Sequence, residues 1–442
     1  MLLGIRRWLN VPQDPAGLAA FRVLFGALMC AATVRFWAKG WIYAIYLKPT
    51  FHFTYLGFEW VRPWGNVAMY AHFLAMALSA ACIALGIKTR LFACGFFLLF
   101  TWAELIEKAV YLNHYYLVTL LSLLLIVVPT DHVWAVWPHR ASKAEIWPGR
   151  WTYGLMRAQI AIVYIFAGFA KLNSDWLFHA QPLRIWLQNY ESWPLIGPWV
   201  ASVPVAYAMS WAGAAFDFSI WLWLSIRRTR RVAYGIAVIF HILIWSMFQV
   251  GMFSWIMLAA ATLFLDPRWP RTMLAKWAGQ QSAKSVGLPA PGSPLGAQFT
   301  LCMGFWLFIQ CVIPLRFVLY PGHVNWTEQG FRFAWRVMLV EKTGHVEYRV
   351  QPRNALRAFR VYPREELEYF QYRMLSTQPD MIHEYALHLA HDYRRKGYGD
   401  VSVFADAFVA WNARRSRRIV DPRVDLARQP RSLRPATWIV PL

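Results

Sequence analysis

Long apolar runs separated by short basic loops dominate the first three quarters of this chain. A helix that crosses a bilayer needs about 20 mostly apolar residues. Nine stretches approach that length: Ala16–Ala38, Val67–Ile87, Leu91–Leu112, His114–Pro129, Trp151–Leu172, Val200–Ile226, Val232–Met247, Gly251–Leu265 and Ala297–Leu319. The fourth, seventh and eighth are short, so the pattern predicts eight or nine spans. After Leu319 the pattern changes to polar and Arg-rich, and residues 320–442 predict one small α+β domain. Within it FRFAWRVMLVEK and HVEYRVQP alternate as strands do, and Glu365–Lys396 and Val401–Arg418 read as helical. The expected division is a transmembrane helical domain over 1–319 and an α+β domain over 320–442.

Composition supports a lipid environment. The 442 residues are 58% hydrophobic and only 15% charged, with 26 Trp that suit membrane–water interfaces. The net charge of +22 is sorted between loops. With the N-terminus inside, the inner segments carry Arg6 and Arg7, Lys88 and Arg90, Arg140, Lys143 and Arg150, the cluster at Arg227–Arg231, and Arg268, Arg271, Lys276 and Lys284. That bias sets a cytoplasmic N-terminus and, with nine spans, an extracytosolic C-terminal domain. The charge therefore speaks for topology and anionic lipid, and against nucleic acid as a partner. The stretch Gln280–Gly296, rich in Ser, Gly, Pro and Ala, reads as an inner flexible linker. The N-terminal stretch has no small-residue cleavage site and reads as an interfacial lead into the first span. Cys30, Cys82, Cys94, Cys302 and Cys311 all lie in apolar runs without paired spacing, so neither a zinc site nor a disulfide framework is expected.

Ionisable residues at membrane depth are candidates for function. Lys171 ends the fifth span in IFAGFAKLNSDWL, with Ala167 and Gly168 one turn earlier. Those small residues would leave room for a flat ring beside the amine, and burial would favour a neutral amine able to act as a base. His114, after Asn113, opens the fourth span at the same outer face. Asp217 and His241 lie deeper and suit polar struts between helices. HEYALHLAHDY spaces His383 and His388 five apart, where a zinc-protease helix needs four, and reads as a solvated helix face. Asn325-Trp326-Thr327 is a glycosylation sequon, meaningful only in a eukaryotic secretory route. No phosphate-binding glycine loop or nucleophile elbow is present.

The segments AGFAKLNSDWL, LNHYYLVTLLSLLL, FHILIWSMFQVGMFSWIML, NWTEQGFRFAWRVML and RIVDPRVDL together resemble the vitamin K-dependent γ-glutamyl carboxylases. The first three spans are similar to the broader horizontally-transferred-transmembrane module. The resemblance implies oxidation of vitamin K hydroquinone by O₂ to the epoxide, coupled to carboxylation of a protein Glu by CO₂ without a metal. In that chemistry a neutral lysine takes a hydroquinone proton, and the strong base generated on the vitamin then takes the γ-proton. A water-poor pocket protects that base. By resemblance Lys171 is the catalytic lysine, and Asn113 and His114 are the pair that hydrogen-bonds the cofactor oxygens. His241 joins the cofactor site, Phe333 and Trp335 fall in the Glu-substrate segment, and Arg423 is the arginine that holds a carboxylate. The implied partners are the bilayer, the quinone pool and a Glu-containing protein or peptide. The chain lacks the animal enzymes' tail and a cysteine for their inter-domain disulfide, which points to a bacterial, periplasm-facing member without animal-type propeptide recognition. Quinone epoxidation or oxidation without carboxylation, and a non-enzymatic lipid-binding protein, are the alternatives; no paired broken helices or inverted repeats support a transporter.

Overall fold

The computed structural model describes residues 2–137, 146–279, 290–291, 295–353 and 357–442. Arg140, Lys143, Lys284 and most of the linker expected over 280–296 lie outside the described residues. Each expected span contains a helix: α1 (Ala16–Ala38), α2 (Asn66–Leu85), α3 (Thr89–Ile106), α4 (Asn113–Val127), α5 (Trp151–Lys171), α6 (Val203–Ser225), α7 (Arg230–Met247), α8 (Phe253–Ala261) and α9 (Ala297–Leu315). Six are long and apolar enough to cross a membrane: α1, α2, α3, α5, α7, and α9 extended to Leu319. The 23-residue α6 is long enough, but Ser210, Asp217 and Ser219 dilute its apolar character. Helix α4 has 15 residues, about 8 Å short of a 30 Å hydrocarbon layer at 1.5 Å per residue. Its first turn, with His114, can therefore lie below the surface of the bundle.

Small residues set a close helix crossing. A Cβ on Gly168 of α5 would come within 2.8 Å of the Phe218 backbone on α6. The two helices use the Ala167–Gly168 step to approach each other, as small residues commonly allow in membranes. The space expected there for a flat ring is filled by α6.

The C-terminal part is an antiparallel sheet with one helix across it. Strands β1 (Lys342–Pro352), β2 (Phe359–Val361), β3 (Val401–Trp411) and β4 (Arg417–Arg418) stand in the order β2-β1-β3-β4. Strands β1 and β3 pair from Lys342↔Trp411 to Pro352↔Val401. Helix α10 (Pro379–Tyr393) buries Ile382, Tyr385, Ala386 and Leu389 against Val346, Tyr348, Val350, Val403 and Ala405. Two expectations are corrected here. Val401–Trp411 is a strand, because every second residue from Val401 to Trp411 is buried, a period of two rather than 3.6. FRFAWRVM is not a strand: Phe333, Trp335 and Met338 have φ of 60°, 57° and 56°, which breaks the extended backbone into turns.

The sheet domain is fastened to the helical bundle through buried polar contacts. Lys108, just after α3, donates to Asp380 Oδ2 and Glu384 Oε2, both at 2.8 Å. Glu384 also accepts from the Thr54 N–H and hydroxyl, each at 2.8 Å, and pairs with Arg431 at 3.2 Å. The helix face expected to be solvated is thus the junction face, with His383 and Glu384 both 5% exposed. Asp175 makes a second fastening to Asn412 and Arg414, each at 2.8 Å.

Glu107 gives the junction a pH dependence. It lies outside the spans, is fully buried, and accepts from the Ala109 N–H at 2.9 Å and Gln371 Nε2 at 2.7 Å. Burial pushes its carboxyl up to about 8, against those hydrogen bonds and with Glu384 adding to the rise. The folded protein therefore keeps a proton that the unfolded chain releases near pH ~4.3. The stability tied to that proton is full below about pH 4 and is lost as pH rises through about 8. The gap in thermal midpoint between the wild type and Glu107→Gln is expected to move against the wild type from pH 5 to pH 8. Parallel profiles would contradict this.

Candidate functional site

A cavity of about 1110 Å³ lies where the bundle meets the C-terminal domain. Its deep wall is apolar and includes Met29, Phe73, Met76, Phe96, Phe100 and Val118. Its polar end holds Glu104, Lys108, Asn113, His114 and Tyr115, under a roof with Arg332 and Arg336. The bend between α7 and α8, Met247–Met252, forms one side. Gly251 there, at φ 58°, stands against the His114 ring: a Cβ would lie 3.9 Å from Nε2.

His114 is 8% exposed, on the first turn of α4, with its ring 4.7 Å from Tyr115 and 6.0 Å from Phe253. Neither ring nitrogen has a hydrogen-bond partner among the described residues. The ring lines the cavity, where a bound group can supply the hydrogen bonds that the protein does not. Asn113 is engaged otherwise. Its Oδ1 accepts from the Tyr111 hydroxyl at 3.1 Å and its Nδ2 donates to the Arg336 carbonyl at 3.1 Å. The Tyr111 oxygen in turn accepts from the Phe333 N–H at 2.7 Å. Asn113 thus clips the roof segment to α4, leaving one N–H for a ligand.

Lys171 is buried at the end of α5, but it does not line the cavity. Its Nζ lies 2.6 Å from Asp217 Oδ2 on α6 and 5.2 Å from the Trp176 ring. Met247 and Phe248, which do line the cavity, pack in the same apolar cluster as Ala170 and Trp176. Met247 and Phe248 thus belong both to the cavity wall and to the apolar cluster at the end of α5. The segment around Lys171 is a joint. Asn173 caps the next helix by accepting from the Trp176 N–H at 3.0 Å, and Asp175 reaches the sheet domain. Asp217, expected as a strut, is the partner of Lys171. His241 Nε2 shares a 3.0 Å hydrogen bond with the Tyr164 hydroxyl, and the ring stays off the cavity wall, packed on Phe253, which also touches His114. His241 was expected in the cofactor site but does not line the cavity, and its Nδ1 is buried with no partner among the described residues.

The residues expected to hold a substrate divide differently. Trp335, 1% exposed, stacks on Tyr116 at 5.0 Å. Phe333 packs edge-on against Tyr111 and Tyr116 at 5.1 and 4.9 Å. Both anchor the roof from behind, and it is Phe331, Arg332, Arg336 and Met338 that face the cavity. Arg423 is corrected to a surface residue: its side chain is 89% exposed and pairs with Asp421 at 3.3 Å. In RIVDPRVDL the buried role belongs to Asp425, which accepts from the Val403 N–H at 2.9 Å. Asn325 of the sequon is 2% exposed and accepts from Arg336 Nη1 at 3.3 Å, so it is closed to glycosylation in this fold.

Glu104 was not singled out from the sequence. It continues the cavity-facing stripe Phe96, Phe100 and Ala103 of α3 and has no partner among the described residues. A carboxyl inside an otherwise apolar helix was the available signal.

Comparison with known proteins follows the same seam. The family model described as HTTM domain matches residues 10–269. The model described as vitamin K-dependent gamma-carboxylase, lumenal domain, matches residues 296–442, which includes α9. No solved structure matches the chain. It is a multi-pass membrane protein with an extracytosolic C-terminal domain, and the cavity opens between its two matched regions. With the HTTM domain over more than half its length and the lumenal domain joined to it, the chain belongs to the vitamin K-dependent γ-carboxylase family.

Proposed function

We propose that the cavity binds a reduced naphthoquinone of the vitamin K type, and that the protein oxidises it with O₂ to the epoxide and couples this to carboxylation of a Glu side chain by CO₂. The observation that carries the proposal is His114, an imidazole with no hydrogen-bond partner among the described residues, on the wall of an amphiphilic cavity. The residues present fit such a ligand. Apolar side chains from Met29 to Phe100 suit rings and an isoprenoid tail, and the polar end suits two ring oxygens. When bound, the reduced quinone supplies the reducing equivalents and, after reaction with O₂, the strong base.

The chain's own residues bind, orient and move protons. His114 hydrogen-bonds one ring oxygen, and the remaining N–H of Asn113 can add a second bond. The roof closed by Trp335 and Phe333 excludes water. Lys171 acts from behind the cavity wall, which has to part for a proton to pass. Asp217, at 2.6 Å, is the group with which the Lys171 amine exchanges its proton in this proposal. In this proposal the N-terminus is cytoplasmic and the C-terminal domain periplasmic.

Purified protein given vitamin K hydroquinone is expected to form epoxide, and labelled CO₂ is expected to enter a Glu peptide. His114→Phe keeps the packing on Tyr115 and Phe253 but removes both nitrogens, and is expected to lower epoxide formation about 100-fold or more. Wild-type epoxide formation without label would restrict the activity to the quinone half. No epoxide at all would overturn the proposal.

A further inference from the structure

Four cationic side chains line the cavity: Arg35, Lys108, Arg332 and Arg336. Two are neutralised by protein. Lys108 lies on Asp380 and Glu384, and Arg332 Nη1 lies 2.7 Å from Asp380 Oδ2. Arg35 is exposed, at the end of α1 over the Trp41 ring. Arg336 differs from all three. It is largely buried at the roof and has no ion pair among the described residues. Its guanidinium lies 4.4 Å over the Phe317 ring, and only Nη1 has a protein acceptor, Asn325 Oδ1 at 3.3 Å. Its Nε is buried with no partner. The nearest acid, Glu328, is already taken by Lys342 at 2.6 Å. Burial pushes the Arg336 guanidinium down to about 10, opposed by Glu328, which leaves it charged at neutral pH.

A guanidinium held this way, with donors free and charge uncancelled, is short of one planar anion. Its position says which. Its own carbonyl accepts the Asn113 bond, and its side chain lines the same cavity as His114. The left-handed residues Trp335 and Met338 flank it and turn this short segment into the cavity.

We propose that Arg336 is the carboxylate anchor of the cavity, and that its ligand is the side-chain carboxylate of a Glu residue in a peptide reaching in from the sheet-domain side. The assignment rests on the proposed function and gives to Arg336 the role expected of Arg423. It makes Arg336 a specificity residue that fixes the carboxylate and leaves the adjoining γ-carbon facing the polar end of the cavity.

The test is binding of two fluorescent peptides with blocked ends, identical except for one Glu or Gln, to the full-length protein in detergent. The wild type is expected to prefer Glu by about thirty-fold, the scale of a buried charge-assisted pair. Arg336→Met is expected to abolish the preference and bind both peptides at the weaker level. Arg336→Lys keeps the charge without the planar fork and is expected to retain part of the preference, which reports on the site even if the Met variant folds poorly. Arg423→Gln, at the exposed position, is expected to bind as the wild type does. A Glu preference that survives in both Arg336 variants would overturn the assignment. So would a wild type that shows no preference, including one in which only free bicarbonate binds at Arg336. Hydroquinone oxidation by the wild type in the same preparation separates the two proposals: a Glu preference that depends on Arg336 without hydroquinone oxidation would refute the proposed function and leave the anchor standing.

Discussion

Alanine at Lys171 is expected to reduce epoxide formation by about 10²–10⁴-fold, the range for loss of a positioned proton-transfer group. The substitution has a structural side effect that has to be separated from the chemical one. It strands Asp217, 8% exposed, without the ammonium 2.6 Å away. Two further variants separate them. Lys171→Ala combined with Asp217→Asn removes the stranded charge, and activity should remain lost. Lys171→Arg keeps a cation beside Asp217 but cannot present a neutral base, because a guanidinium holds its proton. If the pair serves only as a strut between α5 and α6, arginine restores activity. If the amine takes part in proton transfer, arginine does not.

The second large effect is on stability. Glu384→Ala is expected to weaken the junction by about 3–5 kcal/mol, the cost of leaving a buried charge without its partner. Lys108 is 5% exposed and would keep only Asp380, and the two Thr54 donors would lose their acceptor. Hydrogen exchange of the α10 amides should report the loss. Replacing both members, as Lys108→Met with Glu384→Leu, should cost less than Glu384→Ala alone, since no charge is then stranded at that contact. Equal protection in Glu384→Ala and the wild type would show that the network does not hold the domains together.

The helical half of this fold is legible in the sequence for a simple reason. Lipid demands long apolar runs, and nothing else in the chain has their length. The sheet domain is less legible because its contacts are long-range. VSVFADAFVAW carries three alanines, which also suit helices, and only its pairing with Lys342–Pro352 shows that the period is two. FRFAWRVM alternates aromatic residues with others, yet its aromatic side chains anchor turns because Tyr111, Tyr116 and Asn113 wait behind them.

The site was legible as segments rather than as atoms. His114 and Asn113 stand at the cavity, and Lys171 stands off its wall, because helix order brings the start of α4 and the ends of α5 and α7 to one side. What a segment does not convey is orientation. Arg423 and Asp425 share one motif, and only the fold tells that the arginine points out and the aspartate in. Ala167 and Gly168 likewise mark a close approach, and the neighbour that uses it proved to be α6 rather than a ligand. Among the described residues Glu104 lacks a hydrogen-bond partner and Arg336 lacks an ion pair, and both gain their meaning from that property of the assembled cavity.

The most direct test of the central claim is photolabelling with a light-activated naphthoquinone, followed by mapping of the modified residues. The label should fall within residues 96–118 and 245–256, which contribute to the cavity wall, and excess vitamin K hydroquinone should displace it. Met76→Trp, which fills the deep wall, should reduce labelling. Label spread over outward-facing positions such as Leu301 and Phe308 of α9, unaffected by hydroquinone or by Met76→Trp, would contradict a quinone site in this cavity.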